Sequence, residues 1–403
     1  MTGMANSLKD NSGLKDNSAL KSSSGGPLAG FTVIEMEGVG PGPFAAMWLA
    51  DMGATVIRIN RPGQRYNQTR GDVLNRSRQS LAVDMKKPGA AELVLRLIEQ
   101  ADALIEGFRP GVMERLGLGP EVCLARRPAL VYGRVTGWGQ QGSYSQMAGH
   151  DINYISLSGL LHGMGPKDGR PAQPLNLIGD FGGGGMFLVA GVLAALLEAS
   201  RSGRGQVVDT AMADGASLLG AMIWAYHGKG SWKDERESNI FDGGAPYYGT
   251  YRCKDGEYVA VGNIEAEFWE AMLEHGAIAH DAVLAARDDR ERWPEVRERL
   301  AAIFMTRTRD DWCARLEATD ACVTPVLSMK EAPAHPFSKD RGAFVDVAGV
   351  TQPAPAPRFA RTPGSVKSPP PLVGEHSRVI LRDHGFSEAE IGAALATGLI
   401  QQA

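Results

Sequence analysis

The sequence predicts an α/β protein: a large domain with a doubly wound, mostly parallel sheet, a smaller α+β domain, and a chain that returns to the large domain. Three observations lead there. Short apolar strand-like runs alternate with helical stretches up to Val135, the composition turns polar and glycine-rich at Gly228, and prolines crowd the stretch from Pro353 to Pro371. Strands separated by helices favour a parallel sheet, because a parallel pair needs a crossover and a helix supplies it.

In order, Phe31 to Glu35 reads as a strand, Phe44 to Met52 as a helix, and Thr55 to Ile59 as a second strand ended by Pro62-Gly63. Leu81 to Asp84 is a further strand, Ala90 to Gln100 a helix, Ala103 to Ile105 a strand, and Leu130 to Val135 closes the series. The pattern turns helical from His150 to Leu161 and from Gly182 to Ala199; another apolar stretch, Ala213 to Tyr226, follows a short strand at Val207 to Asp209. Gly228 to Gly244 reads as an exposed linker.

Tyr247 to Cys253 and Glu257 to Val261 flank Lys254-Asp255-Gly256, the signature of a hairpin. Helices are expected at Glu265 to Glu274, Trp293 to Met305 and Asp310 to Ala318, the last opened by Thr308 and Asp311. The prolines after it cannot donate to a regular backbone ladder and are read as an extended return linker. Ser387 with Glu390 then forms a capping box and Phe386 with Ile391 a hydrophobic staple, so a final helix is expected to dock on the first domain. The predicted division is 1–26 as a disordered leader, 27–227 with 372–403 as the large domain, 228–246 and 331–371 as linkers, and 247–330 as the small domain.

Composition narrows the function. With 43% hydrophobic and 22% charged residues and a net charge of −4, the chain reads as an ordinary soluble protein with no pull toward nucleic acid or a membrane surface. Cys123, Cys253, Cys313 and Cys322 form no CxxC pair, and the eight histidines form no HxH or HExxH, so no metal is expected. The uncharged stretch Gly182 to Leu197 is shorter than the ~20 residues of a membrane span and reads as a buried helix. No secretory, transit or peroxisomal signal is visible, which makes the cytoplasm the expected compartment.

The turn Gly38-Val39-Gly40-Pro41-Gly42-Pro43 invites a dinucleotide assignment and fails it. Pro43 stands where the last glycine would be, and the prolines remove donors a pyrophosphate needs. Asn60-Arg61 stands where an acid would hold a ribose. Arg61, Arg76, Arg78, Lys86, Arg109 and Arg115 fall near predicted strand ends, where a crevice lined by cations would suit clustered phosphates. His150 opens a predicted helix, and Asp180 precedes four glycines, Gly182 to Gly185. Such a run weakens a helix start, so either a ligand approaches closely there or the helix packs tightly. Asp180 alone would pass for an N-cap.

Those segments carry a resemblance. GHDINY (149–154), NLIGDFGGGG (176–185), GRGQVVDTAM (203–212), DGGAPYYGTY (242–251) and GNIEAEFW (262–269) resemble the class III CoA-transferase family, and within it the α-methylacyl-CoA racemases, from about Gly30 to the C-terminus. The resemblance implies an intertwined homodimer whose active site lies between the large domain of one subunit and the small domain of the other. It implies His150 and Asp180 as the proton-transfer groups, with Glu265 from the partner's small domain supporting the histidine. It places coenzyme A on Arg61, Val83, Asp84, Met85, Lys86, Gly107, Phe108, Arg109, Arg115, Gly149, Asp151 and Tyr154.

The chemistry suits these residue types. Inverting a carbon beside a thioester takes a proton from one face and returns one to the other, so two bases on opposite sides serve best. The enolate oxygen needs N–H donors, each worth roughly 2.7–4 kcal/mol; the glycine-rich helix start and the GHDINY backbone are the candidates. No metal, flavin or nicotinamide is called for, and coenzyme A enters with the substrate. The alternative is a class III CoA transferase using Asp180 as nucleophile, which would not need His150. A non-catalytic CoA-binding protein would leave His150, Asp180 and Glu265 without a joint purpose.

Overall fold

A computed structural model describes residues 25–63 and 69–403. The expected leader lies outside the described residues up to residue 24; Gly26 is already buried, and its neighbour Leu28 donates through N–H to Met52 O at 2.9 Å.

The chain begins with β1 (Thr32–Met36), α1 (Pro41–Asp51), β2 (Thr55–Asn60), β3 (Arg78–Val83), α2 (Ala90–Ile98) and β4 (Ala103–Glu106). Helices α3 (Val112–Arg115) and α4 (Pro120–Arg126), strand β5 (Val131–Thr136) and helix α5 (Asp151–Leu157) follow. A π-helical segment, Leu177–Met186, runs without a break into α6 (Phe187–Ser202). Next come β6 (Val207–Ala211), α7 (Met212–Leu219) and α8 (Ala221–Gly228). Helix α1 starts earlier than expected because Pro41 sits in its first turn, where its fixed φ suits the helix and its missing N–H costs nothing.

These strands and the late β12 (Ile400–Gln401) form a seven-stranded sheet in the order β12-β3-β2-β1-β4-β5-β6. Every pairing is parallel except β12 with β3. The two-residue period of a strand splits its side chains between two cores. Ile34, Ile57 and Leu104 join the core that also holds Ile380, Phe386 and Ile391. Val33, Val56, Ala103 and Val135 face the other, with Leu49, Leu188 and Val192. Buried on both faces, the central strands read as continuous apolar runs, the reason they were legible.

A second, three-stranded sheet contains β7 (Gly249–Arg252), β8 (Tyr258–Val261) and β9 (Val323–Pro325). Strands β7 and β8 form the expected hairpin, with Gly256 at φ 90° in its turn. Helices α9 (Ala266–Gly276), α10 (Trp293–Phe304) and α11 (Arg309–Leu316) pack on it around a core of its own that includes Trp269, Trp293 and Trp312. Then come α12 (Pro336–Arg341), a hairpin of β10 (Phe344–Val347) and β11 (Val350–Pro353), α13 (Ser377–Asp383) and α14 (Glu388–Ala396). The Ser387–Glu390 capping box opens α14 as expected, and Phe386 and Ile391 are buried in the core they share with β1.

Three expectations are corrected. The polar stretch after Gly228 is not wholly exposed: Asn239 is buried and bonded to Lys233, Asp242 and Arg290. The return linker 331–371 is not extended throughout: α12 and the β10–β11 hairpin occupy its first part, whereas the proline run from Ala354 to Leu372 forms no helix or strand. The apolar helix does not start at Gly182. Leu177–Ser202 is a continuous 26-residue run, long and apolar enough on length and composition to cross a membrane. One side of it packs on the sheet through Leu188, Val189, Val192 and Ala195.

Candidate active site

His150 and Asp180 lie near one another where α5 packs on the π-helical segment. His150 is the exposed residue just before α5, and its N–H donates to Asn153 Oδ1 at 3.0 Å. Asp180 lies in the first turn of the π-helical segment, whose N-cap is Asn176, so it is not a helix N-cap itself. Asn176 Nδ2 donates to its Oδ2 at 3.2 Å. Burial pushes the Asp180 carboxyl above the ordinary carboxylate value. The Asn176 hydrogen bond opposes that rise, the Asp151 charge adds to it and His150 opposes it. A carboxyl raised in this way is better matched to cycling protons near neutral pH.

Glycine does two jobs around this carboxylate. A Cβ at Gly40, which sits at φ 70°, would stand 3.6 Å from Asp180 Oδ2, so the turn that failed as a dinucleotide motif passes beside the acid instead. The glycine run behind Asp180 is a packing device. A Cβ at Gly183 would fall 2.6 Å from Ala216 N, one at Gly184 2.7 Å from Met212 Cγ, and one at Gly185 2.6 Å from Phe44 Cδ1. Helices α7 and α1 therefore press directly on the backbone. The first-turn amides are also occupied, because Gly179 N and Asp180 N donate to Asp151 Oδ2 at 2.6 and 2.7 Å. Two amides of the glycine-rich start are therefore taken, while the leading amides in the first turn of α5 have no partner within the helix.

A cleft of about 560 Å³ opens at the carboxyl ends of β1 to β4, lined by Arg61, Val83, Asp84, Met85, Lys86 and Phe108 together with Glu37, Asn60, Val112 and Leu116. This is the crevice position of an open α/β sheet. Asn60, where an acid would hold a ribose, accepts instead from Ser80 Oγ at 2.7 Å. Gly107 and Arg109 are exposed beside the cleft without lining it, and Arg115 folds back so that its Nη1 comes within 3.2 Å of a Cβ built on Gly111. Gly149, Asp151 and Tyr154 lie at the other site. Tyr154 is buried against Trp138, ring centroids 4.9 Å apart, and its hydroxyl donates to Gly149 O. Burial, and then the Asp180 charge, pushes that hydroxyl above the usual phenol value.

Arg76 and Arg78 are not in the cleft. They sit at the amino end of β3, buried, with Arg76 paired to Asp51 at 2.5 Å and Arg78 to Glu35 at 3.0 Å. The sequence placed them near a strand end without showing which end. Glu265 caps α9 with its side chain exposed, and among the described residues that carboxylate makes no hydrogen bond or ion pair within the chain. One chain thus brings His150 near Asp180, and among the described residues Glu265 bonds to neither. Sequence reasoning passed over Asn176; its signal was a polar amide four residues before an acid in a helical stretch.

The chain matches CoA-transferase family III over residues 28–377. It is 43% identical over 371 residues to the alpha-methylacyl-CoA racemase of Homo sapiens, spanning 90% of this chain and 95% of that protein. It is 45% identical over 367 residues to the alpha-methylacyl-CoA racemase of Mus musculus, again spanning 90% and 95%. The crystal structure of a CAIB/BAIF family protein from Brucella suis superposes with a TM-score of 0.77 at 27% identity, over 89% of this chain and all 100% of that one.

Proposed function

The chain belongs to CoA-transferase family III, and from that premise we propose that it is a racemase interconverting (2R)- and (2S)-2-methylacyl-CoA thioesters by proton transfer through an enolate. The observation that carries this is the junction of α5 with the π-helical segment: an exposed histidine, His150, close enough to a half-buried, raised carboxyl at Asp180 to act on its charge. Two bases of different kind, an imidazole and a carboxyl that burial raises, suit a reaction that takes a proton from one face and returns it to the other. A transferase would need the carboxylate only.

In this scheme the cleft at β1 to β4 holds the nucleotide end of coenzyme A, with Arg61 and Lys86 as its cations. The thioester reaches toward Asp180, and the first-turn amides of α5 receive the enolate oxygen. His150 and Asp180 exchange acid and base roles with direction. No metal or redox group takes part.

A second copy of the chain completes the site. Helix α8 buries none of its residues, and Leu218, Leu219, Met222 and Trp224 are all exposed. A contiguous apolar surface of this kind marks an interface. An intertwined homodimer would cover it and bring the partner's small domain, with its unpaired glutamate, to His150.

The test is α-proton exchange in deuterium oxide, starting from one epimer of a 2-methylacyl-CoA and followed by NMR. Exchange with epimerisation and no added acid supports the racemase. Movement of coenzyme A only when a second carboxylate is supplied would mean that Asp180 is a transferase nucleophile. His150→Ala is expected to abolish exchange and leave CoA binding close to wild type.

A further inference from the structure

Asp151 follows His150 in the chain, but its side chain is used elsewhere. The residue is 4% exposed, its Oδ2 takes both the Gly179 and Asp180 amides, and its Oδ1 is buried with no hydrogen-bond partner among the described residues. Burying a carboxylate with one oxygen unpartnered is expensive. A neutral amide side chain would accept the same two N–H groups with less charge to desolvate. The close approach is also built into the other side of the contact: a Cβ on Gly179 would fall 2.8 Å from Asp151 Oδ2 and 3.1 Å from Asp151 O.

Resting on the racemase assignment, we propose that Asp151 is a positioning residue for the proton-transfer pair. Its carboxylate clasps the turn that carries Asp180 to the turn that carries His150, and its charge stands beside Asp180. The clasp sets the separation of the two bases, because His150 is bonded to Asp151 through the chain and Asp180 through its amide. The charge disfavours the ionised form of Asp180, in line with the upward displacement of that carboxyl.

The other groups around Asp180 are few. His150 and Tyr154 come from the same turn as Asp151, and Asn176 from the π-helical segment. Helix α1 brings no titratable side chain before Asp51, and Asp214 on α7 is exposed. On β5 and β6, Arg134 is paired with Glu106 and Glu114, and Asp209 accepts from Gln140 N at 3.1 Å.

The experiment compares Asp151→Asn and Asp151→Ala with the unsubstituted full-length protein, following kcat, KM and the pH profile of α-proton exchange, with CoA binding by calorimetry and folding by circular dichroism. Asp151→Ala removes the clasp, so kcat falls on the order of 100-fold, a larger change than in KM. Asp151→Asn keeps an acceptor for the two amides and recovers most of kcat, but the acid limb of kcat/KM moves to lower pH because a like charge has gone from beside Asp180. If Asp151→Ala does not fold, the Asn profile decides alone: a displaced limb supports the proposal and an unmoved one overturns it. Absence of exchange in the unsubstituted protein would instead sink the racemase assignment.

Discussion

Arg134 Nε lies 2.6 Å from Glu106 Oε1, and neither side chain is more than 7% exposed. The same glutamate accepts from Phe108 N at 2.7 Å, and the same arginine reaches Glu114 at 2.9 Å. One buried pair thus shapes the loop from Gly107 to Arg115 that borders the cleft. Arg134→Ala leaves Glu106 buried without its cation, which costs about 3–5 kcal/mol. Chemical denaturation is expected to show that loss, and the surviving folded enzyme a raised KM for acyl-CoA with kcat less affected. A kcat defect at unchanged KM would break the link to the cleft.

Asn176→Ala tests the electrostatics of the acid. The amide of Asn176 bonds to the ionised carboxylate and so holds the Asp180 value down against burial. Without it the neutral form gains, and the acid limb of kcat/KM moves to higher pH. This is opposite in sign to the Asp151→Asn change. A shift of the two limbs in the same direction would contradict the arrangement.

Gly183→Ala pits helix propensity against packing. Alanine gains up to about 1 kcal/mol in a helix, but the new methyl carbon would meet Ala216 N at 2.6 Å and Met212 O at 2.7 Å, both backbone atoms that cannot turn aside. Overpacking of this kind costs roughly 1–3 kcal/mol or more, so a lowered melting temperature and reduced activity are expected. Gly392→Ala in α14, where nothing lies within 4 Å, is the control and should be neutral or stabilising. Equal effects at the two positions would mean that the glycine run is not a packing device.

Subunit complementation tests whether the site is shared between two copies of the chain. In a twofold dimer, a His150→Ala chain paired with a Glu265→Ala chain has one site carrying both defects and one carrying neither. Co-expressed in equal amounts, the two inactive variants are expected to yield about one quarter of wild-type activity, since half the dimers are mixed and each restores one of two sites. No recovery would place Glu265 with the histidine of its own chain, or outside the reaction.

Leu218→Asp places a charge on the exposed face made by α7 and α8. Sedimentation is expected to show a shift from dimer toward monomer, with exchange activity lost in parallel. A dimer that persists with full activity would point the interface elsewhere.

What could be read in the sequence was what depends on neighbours a few residues apart. The central strands around Ile34, Ile57 and Leu104 showed because both faces are buried, and α14 because Ser387 and Glu390 cap it within a single turn. The stretch from Val83 to Lys86 followed a strand end and lined the expected crevice. The misreadings came from long-range partners. Arg76 looked like a phosphate ligand until the fold paired it with Asp51 and brought Gln352, 276 residues away, to its guanidinium at 2.8 Å.

The sequence by itself determined the alternating α/β order, the second sheet's hairpin and the presence of a histidine and an acid in segments of the kind that serve coenzyme A esters. The first two follow from side-chain period and turn chemistry, which are local; the third follows from the resemblance of segments 149–154 and 176–185 to a known family. Tertiary structure alone decided that Asp180 sits inside a π-helical turn, that its glycines press against α7 and α1, and that Asp151 clasps its amide. Each is a contact between segments far apart in the chain, whose distance and burial are set only when the sheet and its helices close together.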